Sequence, residues 1–270
     1  MFIKTKFFAA ALAFAVCAGF ASCSDDDDNK GNEPTPPTGE NGTANPGQVF
    51  TQGMPASVNG SKITRDAQGR VTEILGTQSK VNFTYLDDAR ANDFNVVMTV
   101  KELYDNDVET FNIQLNKQGY ASYAQETSSD SREVDEWKFT YTSDGYLQTM
   151  YRSEGRETTT LTWVNGNLVK VNTADGEDGT NSTATIAYGD QENKGAIMMF
   201  DDCFDIDMDE FAMAYYAGLL GKATAMLPIS CTEQDMEVDI FTWTLDANGY
   251  PTGLRIDDRW GTPYNCPFTW

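Results

Sequence analysis

The chain contains no histidine, and its 19 Lys and Arg residues face 41 Asp and Glu, a formal charge of −22 over 270 residues. Without histidine there is no Ser-His-Asp triad, no Cys-His dyad, no HExxH zinc site and no Cys2His2 finger. Without clustered basic residues there is no electrostatic footprint for nucleic acid and no attraction to anionic lipid headgroups. No GxxxxGK loop, no strand-led GxGxxG and no CxxC or zinc spacing occurs. A carboxylate-only glycosidase or a calcium site survives these exclusions. Long apolar runs are also missing. The run Phe7 to Val16 is about ten residues, too short to span a bilayer as a helix but suited to the core of a signal peptide.

That run follows Lys4 and Lys6 and leads through small residues to Phe20-Ala21-Ser22-Cys23, which looks like a bacterial lipobox with Cys23 as the lipidated residue. The alternative is an ordinary secretory leader cleaved near Ala21. Acyl chains on Cys23 would hold the protein to a membrane by burying methylenes. Ser24 and the four carboxylates Asp25, Asp26, Asp27 and Asp28 follow directly. Such a run repels itself and cannot pack, so it is at least a solvated tail. Its position resembles the export signal of surface lipoproteins from Bacteroides-type bacteria. That resemblance implies a lipid-anchored protein on the outer membrane facing the cell exterior; a periplasm-facing lipoprotein is the alternative. Residues 29–48 are rich in proline and glycine and nearly free of large apolar side chains, a composition that predicts a flexible tether. The expected organisation is a lipoprotein signal peptide over 1–22, a lipidated acidic tether over 23–48 and one domain over 49–270.

From Val49 onward an alternating apolar strand, an Asp/Asn/Gly turn and a second strand recur. The units are Ile63 to Ile74, Phe111 to Tyr120, Trp137 to Leu147, Leu161 to Val171 and Phe241 to Tyr250. Glycine stands where a tight turn wants positive φ, and Asn165-Gly166 is the strongest two-residue hairpin signal. Trp137, Phe139 and Tyr141 share one face of their strand while Thr140 and Thr142 share the other. The pattern predicts a mainly β fold: an antiparallel hairpin meander closing into an up-and-down β-barrel, since closure removes exposed edges. A transmembrane barrel shares the alternation, but the lipobox and the dense aromatic face favour a soluble barrel with a packed interior. One short helix is expected near 208–220. Phe211, Ala214, Tyr215 and Leu219 form its stripe, Asp207 or Asp209 its cap and Gly221 its stop, and it plugs or flanks one end of the barrel.

The lipobox with its acidic run, the Pro/Gly tether, hairpins of the type Phe-x-Tyr-x-x-Asp-Gly-Tyr-Leu, the stretch Ala217-Gly-Leu-Leu-Gly-Lys222 and the late Asp246-Ala-Asn-Gly-Tyr-Pro251-Thr hairpin together resemble a family of Bacteroides-type lipoproteins. That family is described as a domain of unknown function with a porin-like β-barrel fold, and the likeness covers most of residues 50–260. It implies the barrel and brings no catalytic residues. Asp66-Ala-Gln-Gly-Arg-Val71 also looks like a single Rhs/YD-type hairpin repeat.

Asp205-x-Asp207-x-Asp209 imitates the start of an EF-hand loop, but Glu210 stands where glycine is needed and Tyr216 where the bidentate glutamate is needed. A looser calcium site on Asp205, Asp207 and Asp209 remains an expectation; no other cofactor is expected. Export would place Cys203, Cys231 and Cys266 in an oxidising compartment, with a Cys203–Cys231 disulfide the first expectation and Cys231–Cys266 the second. Trp137, Trp163 and Trp243 belong to the core by alternation, whereas Trp260 and Trp270 are candidate ligand platforms or closures of the barrel end. No carboxylate pair stands out as a dyad. The expected role is non-enzymatic binding of an extracellular glycan or polymer. A carboxylate-based glycoside hydrolase and a structural component of an outer-membrane complex are the alternatives.

Overall fold

The computed structural model describes residues 42–89, 93–104, 107–234, 238–258, 261 and 263–270. Among these, sixteen strands run from β1 (Ser57–Val58) to β16 (Tyr264–Thr269). Each pairs antiparallel with its neighbour in sequence, and β1 closes on β16 through Ser57↔Thr269 and Val58↔Phe268. The expected up-and-down barrel is therefore complete.

The recurring hairpins share one local device. The Oδ1 atoms of Asp66, Asn116 and Asp246 each accept the backbone N–H groups two and four residues on. Thr142 Oγ1 does the same for the Tyr146 N–H. The fourth residue of each turn is glycine at φ between 82° and 88° (Gly69, Gly119, Gly145 and Gly249), a region that penalises a Cβ. A register shift precedes these turns, as at Gln114/Leu115 and Thr140/Tyr141, so one strand gains a residue and the hairpin bends. These turns gather at one end of the barrel, here the turn end.

Alternation points the apolar set inward. In β8 (Val134–Tyr141), Trp137 and Phe139 are buried, and in β10 (Glu157–Val164) so are Thr159 and Leu161. The outer wall mixes exposed Lys62, Thr84, Lys101, Thr162, Lys170 and Arg255 with exposed Leu75, Val164, Ile229 and Ile240. A membrane-spanning barrel presents a continuous apolar band outside and a polar lumen.

The lumen is filled by the protein's own chain. β12 (Asn181–Glu192) and β13 (Met226–Glu233) are joined at the turn end by residues 193–225, which pass into the barrel. The neck is closed by Asn193 N–H to Ala225 O (2.9 Å). The segment descends through Ile197 and α1 (Phe200–Phe204) and reaches the opposite end at Asp209, which pairs with Arg152 at the close of β9 (Leu147–Arg152). It returns through Phe211 and Leu219 to the turn end, where Ala121 N–H donates to Leu219 O (2.8 Å). Phe211 is fully buried, stacked on Phe139 (5.1 Å) and Trp137 (5.6 Å) with Phe111 edge-on (5.2 Å).

The helix expected over 208–220 is shorter and of another kind. Residues Asp209–Tyr215 form a 3-10 helix, Met208 rather than an aspartate occupies its N-cap, and the α-helical turn lies earlier, at Phe200–Phe204. Asp205 and Asp209 take positive φ (55° and 43°), so the backbone turns twice where one helix was expected to start. Gly218, not Gly221, makes the first left-handed stop, and a Cβ there would lie 2.6 Å from Pro46 Cα. The barrel surrounds the segment, so apolar residues such as Phe204, Phe211, Ala214, Tyr215, Ala217 and Leu219 are buried without a single helical stripe, and periodicity carries little directional information.

Packing also begins before residue 49. Ala44 and Pro46 are buried, Gly42 N–H donates to Asn116 O (2.9 Å), and Phe50 stacks on Tyr216 (6.2 Å). Residues 42–48, expected as tether, lie across the turn end.

Candidate functional site

The turn end holds a cleft of about 440 Å³ between the entering segment, the two roots of the luminal insert and the β8–β9 turn. Gln48, Gln52, Tyr146, Glu192, Lys194 and Lys222 supply its polar lining. The Tyr146 ring is braced on Trp163 (4.6 Å) and lies 5.8 Å from Lys222 Nζ. Lys194 Nζ donates to Asn248 O (2.7 Å) and stands 4.6 Å over the Tyr250 ring. Gln52 Nε2 donates to Glu192 Oε1 (3.1 Å), and Gln48 Nε2 to Gln118 O (2.9 Å). The Asn193 side chain is spent on structure, donating to Ile197 O and accepting the Ile197 N–H. A polar rim, one supported aromatic face and two ammonium groups suit a hydroxylated ligand with a ring to stack.

At the opposite end the insert's tip meets a ring of inward carboxyls around one guanidinium. Arg152 pairs with Asp209 (2.5 Å) and Glu154, and lies 4.8 Å from the Trp137 ring. Trp137 Nε1–H donates to Glu126 Oε2 (2.8 Å). Glu109 and Glu210 face each other at this end. Burial, then the Glu210 and Glu126 charges, push Glu109 up to about 8. Burial also raises Glu126, Glu157, Asp207 and Glu210. Glu109 Oε2 and Arg152 Nε are buried with no hydrogen-bond partner among the described residues. The arrangement ties the insert to the wall, because its carboxyls are turned toward Arg152, Trp137 and one another.

The sequence reading missed both features. The carboxyl ring was legible in principle: Glu109 has the parity of Phe111 and Ile113, and Glu157 that of Thr159 and Leu161. The cleft was not, since its residues come from four distant stretches.

Of the residues singled out from sequence, Cys23, Ser24, Asp25, Asp26, Asp27, Asp28 and Trp260 lie outside the described residues. Trp270 is 37% exposed. Its Nε1–H donates to Pro251 O (2.6 Å), its ring packs on Tyr250 (4.7 Å), and it crosses Gly195, where a Cβ would come within 2.2 Å. Trp137 is in the core as expected, while Trp163 and Trp243 are partly buried against it and donate to Leu147 O and Pro228 O. Cys203, Cys231 and Cys266 are all buried. Burial, then Asp202, raises both Cys203 and Cys266, the latter to about 12, so these thiols stay protonated and unreactive. Asp207 Oδ1 accepts the Asp209 N–H, and the Asp209 carboxylate pairs with Arg152. Among the described residues no group of three or more metal-ligating side chains is placed to hold a metal ion.

A closed antiparallel barrel of porin-like topology, filled by its own chain and open to solvent at a polar end cleft, is the class that this geometry defines. The sequence profile of the "Domain of unknown function (DUF4595) with porin-like fold" matches residues 63–253, and the chain belongs to that family. The fold is shared with the crystal structure of a porin-like protein from Bacteroides uniformis, at a TM-score of 0.55 and 20% identity over 77% of this chain and 88% of that one. No curated protein matches the chain.

Proposed function

We propose that the protein is a lipid-anchored outer-membrane protein, displayed on the cell exterior, that binds an extracellular glycan without turning it over. The anchor reading rests on the apolar leader, Cys23 and the aspartates that follow it. The charged residues on the outer wall, such as Lys62, Lys101, Lys170 and Arg255, and the filled lumen support attachment through a lipid in place of strand insertion. The observation that carries the binding role is the turn-end cleft, with the braced Tyr146 ring beside amide and ammonium groups. The hydrolase alternative is not favoured, since among the described residues the dense set of inward carboxyls around Arg152 is committed to the insert.

The full chain in non-ionic detergent, screened against a panel of polysaccharides, tests the role. Retention of at least one glycan, weakened about tenfold by Tyr146→Ala, is expected from the loss of one stacking face. Retention of none contradicts it. Protease shaving of intact cells tests the location: cleavage is expected, and an uncut protein places the chain behind the membrane.

A further inference from the structure

We infer that the ligand of the turn-end cleft is a sugar bearing a carboxylate, a uronate, held between the ammonium groups of Lys194 and Lys222 with its ring face on Tyr146. This rests on the glycan-binding reading above and narrows its chemistry. In a chain with 41 acidic side chains against 19 basic ones, two lysines line one cleft. The single carboxylate of that lining, Glu192, already accepts the Gln52 amide. Among the described residues neither lysine has a carboxylate within ion-pair distance, although the Lys194 charge is felt by the Asp246 carboxylate. Lys194 is positioned by Asn248 O and the Tyr250 ring, and this leaves two of its three N–H groups for a ligand. Lys222 Nζ stands 5.8 Å over the Tyr146 ring, on an exposed side chain, so the ammonium and the ring would meet a ligand together. The net charge of −22 repels long or densely sulfated polyanions, so the fit is to a short unit with one charge per ring.

The test is calorimetry on the full chain in detergent with digalacturonate and with its dimethyl ester, which keeps every ring and hydroxyl and loses the charge. The free acid is expected to bind about tenfold more tightly than the ester, the advantage of charge-assisted hydrogen bonds. The preference should vanish in K194Q/K222Q, persist in K194R/K222R and shrink with added salt. Equal binding of acid and ester overturns the uronate assignment and leaves glycan binding standing, as does a preference that survives in K194Q/K222Q. Failure of acid, ester and the whole polysaccharide panel to bind overturns the glycan reading itself. Should the double glutamine variant not fold, the acid-to-ester comparison on the unaltered chain decides alone.

Discussion

Phe211→Ala removes the ring at the centre of the luminal insert. Phe211 is fully buried between Phe139, Trp137 and Phe111. Losing its transfer free energy costs about 2–3 kcal/mol, and the cavity left in a closed wall adds to that, for a total of about 3–5 kcal/mol. Relaxation is limited, because the sheet is hydrogen-bonded all round and cannot collapse inward at one point. Urea unfolding followed by tryptophan fluorescence reads the cost as a lowered midpoint at unchanged slope. In a domain of this size it corresponds to a melting temperature lower by about 6–20 °C. Thr162→Ala, on the outer wall, serves as the control and should move stability by less than about 0.5 kcal/mol. A Phe211→Ala cost below about 1 kcal/mol would mean that the insert is not packed in the lumen.

Four further outcomes follow from the same geometry. Glu109 holds its proton up to about 8 when folded and releases it near 4.5 when unfolded, so its contribution to stability is full below pH 4.5, declines as pH rises and is lost by about pH 8. With the site only half-buried and screened, the decline is about 1–2 kcal/mol, and Glu109→Gln should flatten that part of the profile in chemical denaturation from pH 4 to 9. Arg152→Gln leaves Asp209, Glu154 and Glu126 facing one another and should cost about 2 kcal/mol at pH 8, with recovery toward pH 5; a cost that does not change with pH contradicts the assigned electrostatics. Gly166→Ala forces a Cβ to φ 77° and to 3.0 Å from Tyr146 Oη, and should cost about 1 kcal/mol or more by thermal melting. Cys203 and Cys266 should react slowly with Ellman's reagent in the native protein and quickly in urea; fast reaction in the native protein contradicts their burial.

Much of the barrel was legible because hairpin chemistry is local. Asp66, Asn116 and Asp246 each organise a turn within five residues, and the strands on either side declare their buried face by parity. The insert was legible only as something helical and apolar. Its conformation answers to Pro46 against Gly218 and to Arg152 at the far end, contacts across long stretches of chain that no periodicity records. Inward charges such as Glu109 break the apolar alternation at strand ends, and their parity was the signal to read. The cleft needs the barrel closed before Gln52, Tyr146, Lys194 and Lys222 become neighbours.

The account stands most directly on where a ligand binds. Hydrogen exchange of the full chain, with and without the tightest glycan from the panel, measures that segment by segment. Added protection is predicted at 48–52, around Tyr146 and at the two insert roots, 192–196 and 222–226, with the outer wall unchanged. Protection on the outer strands or at the carboxyl end around Arg152, with none at the cleft, would contradict it.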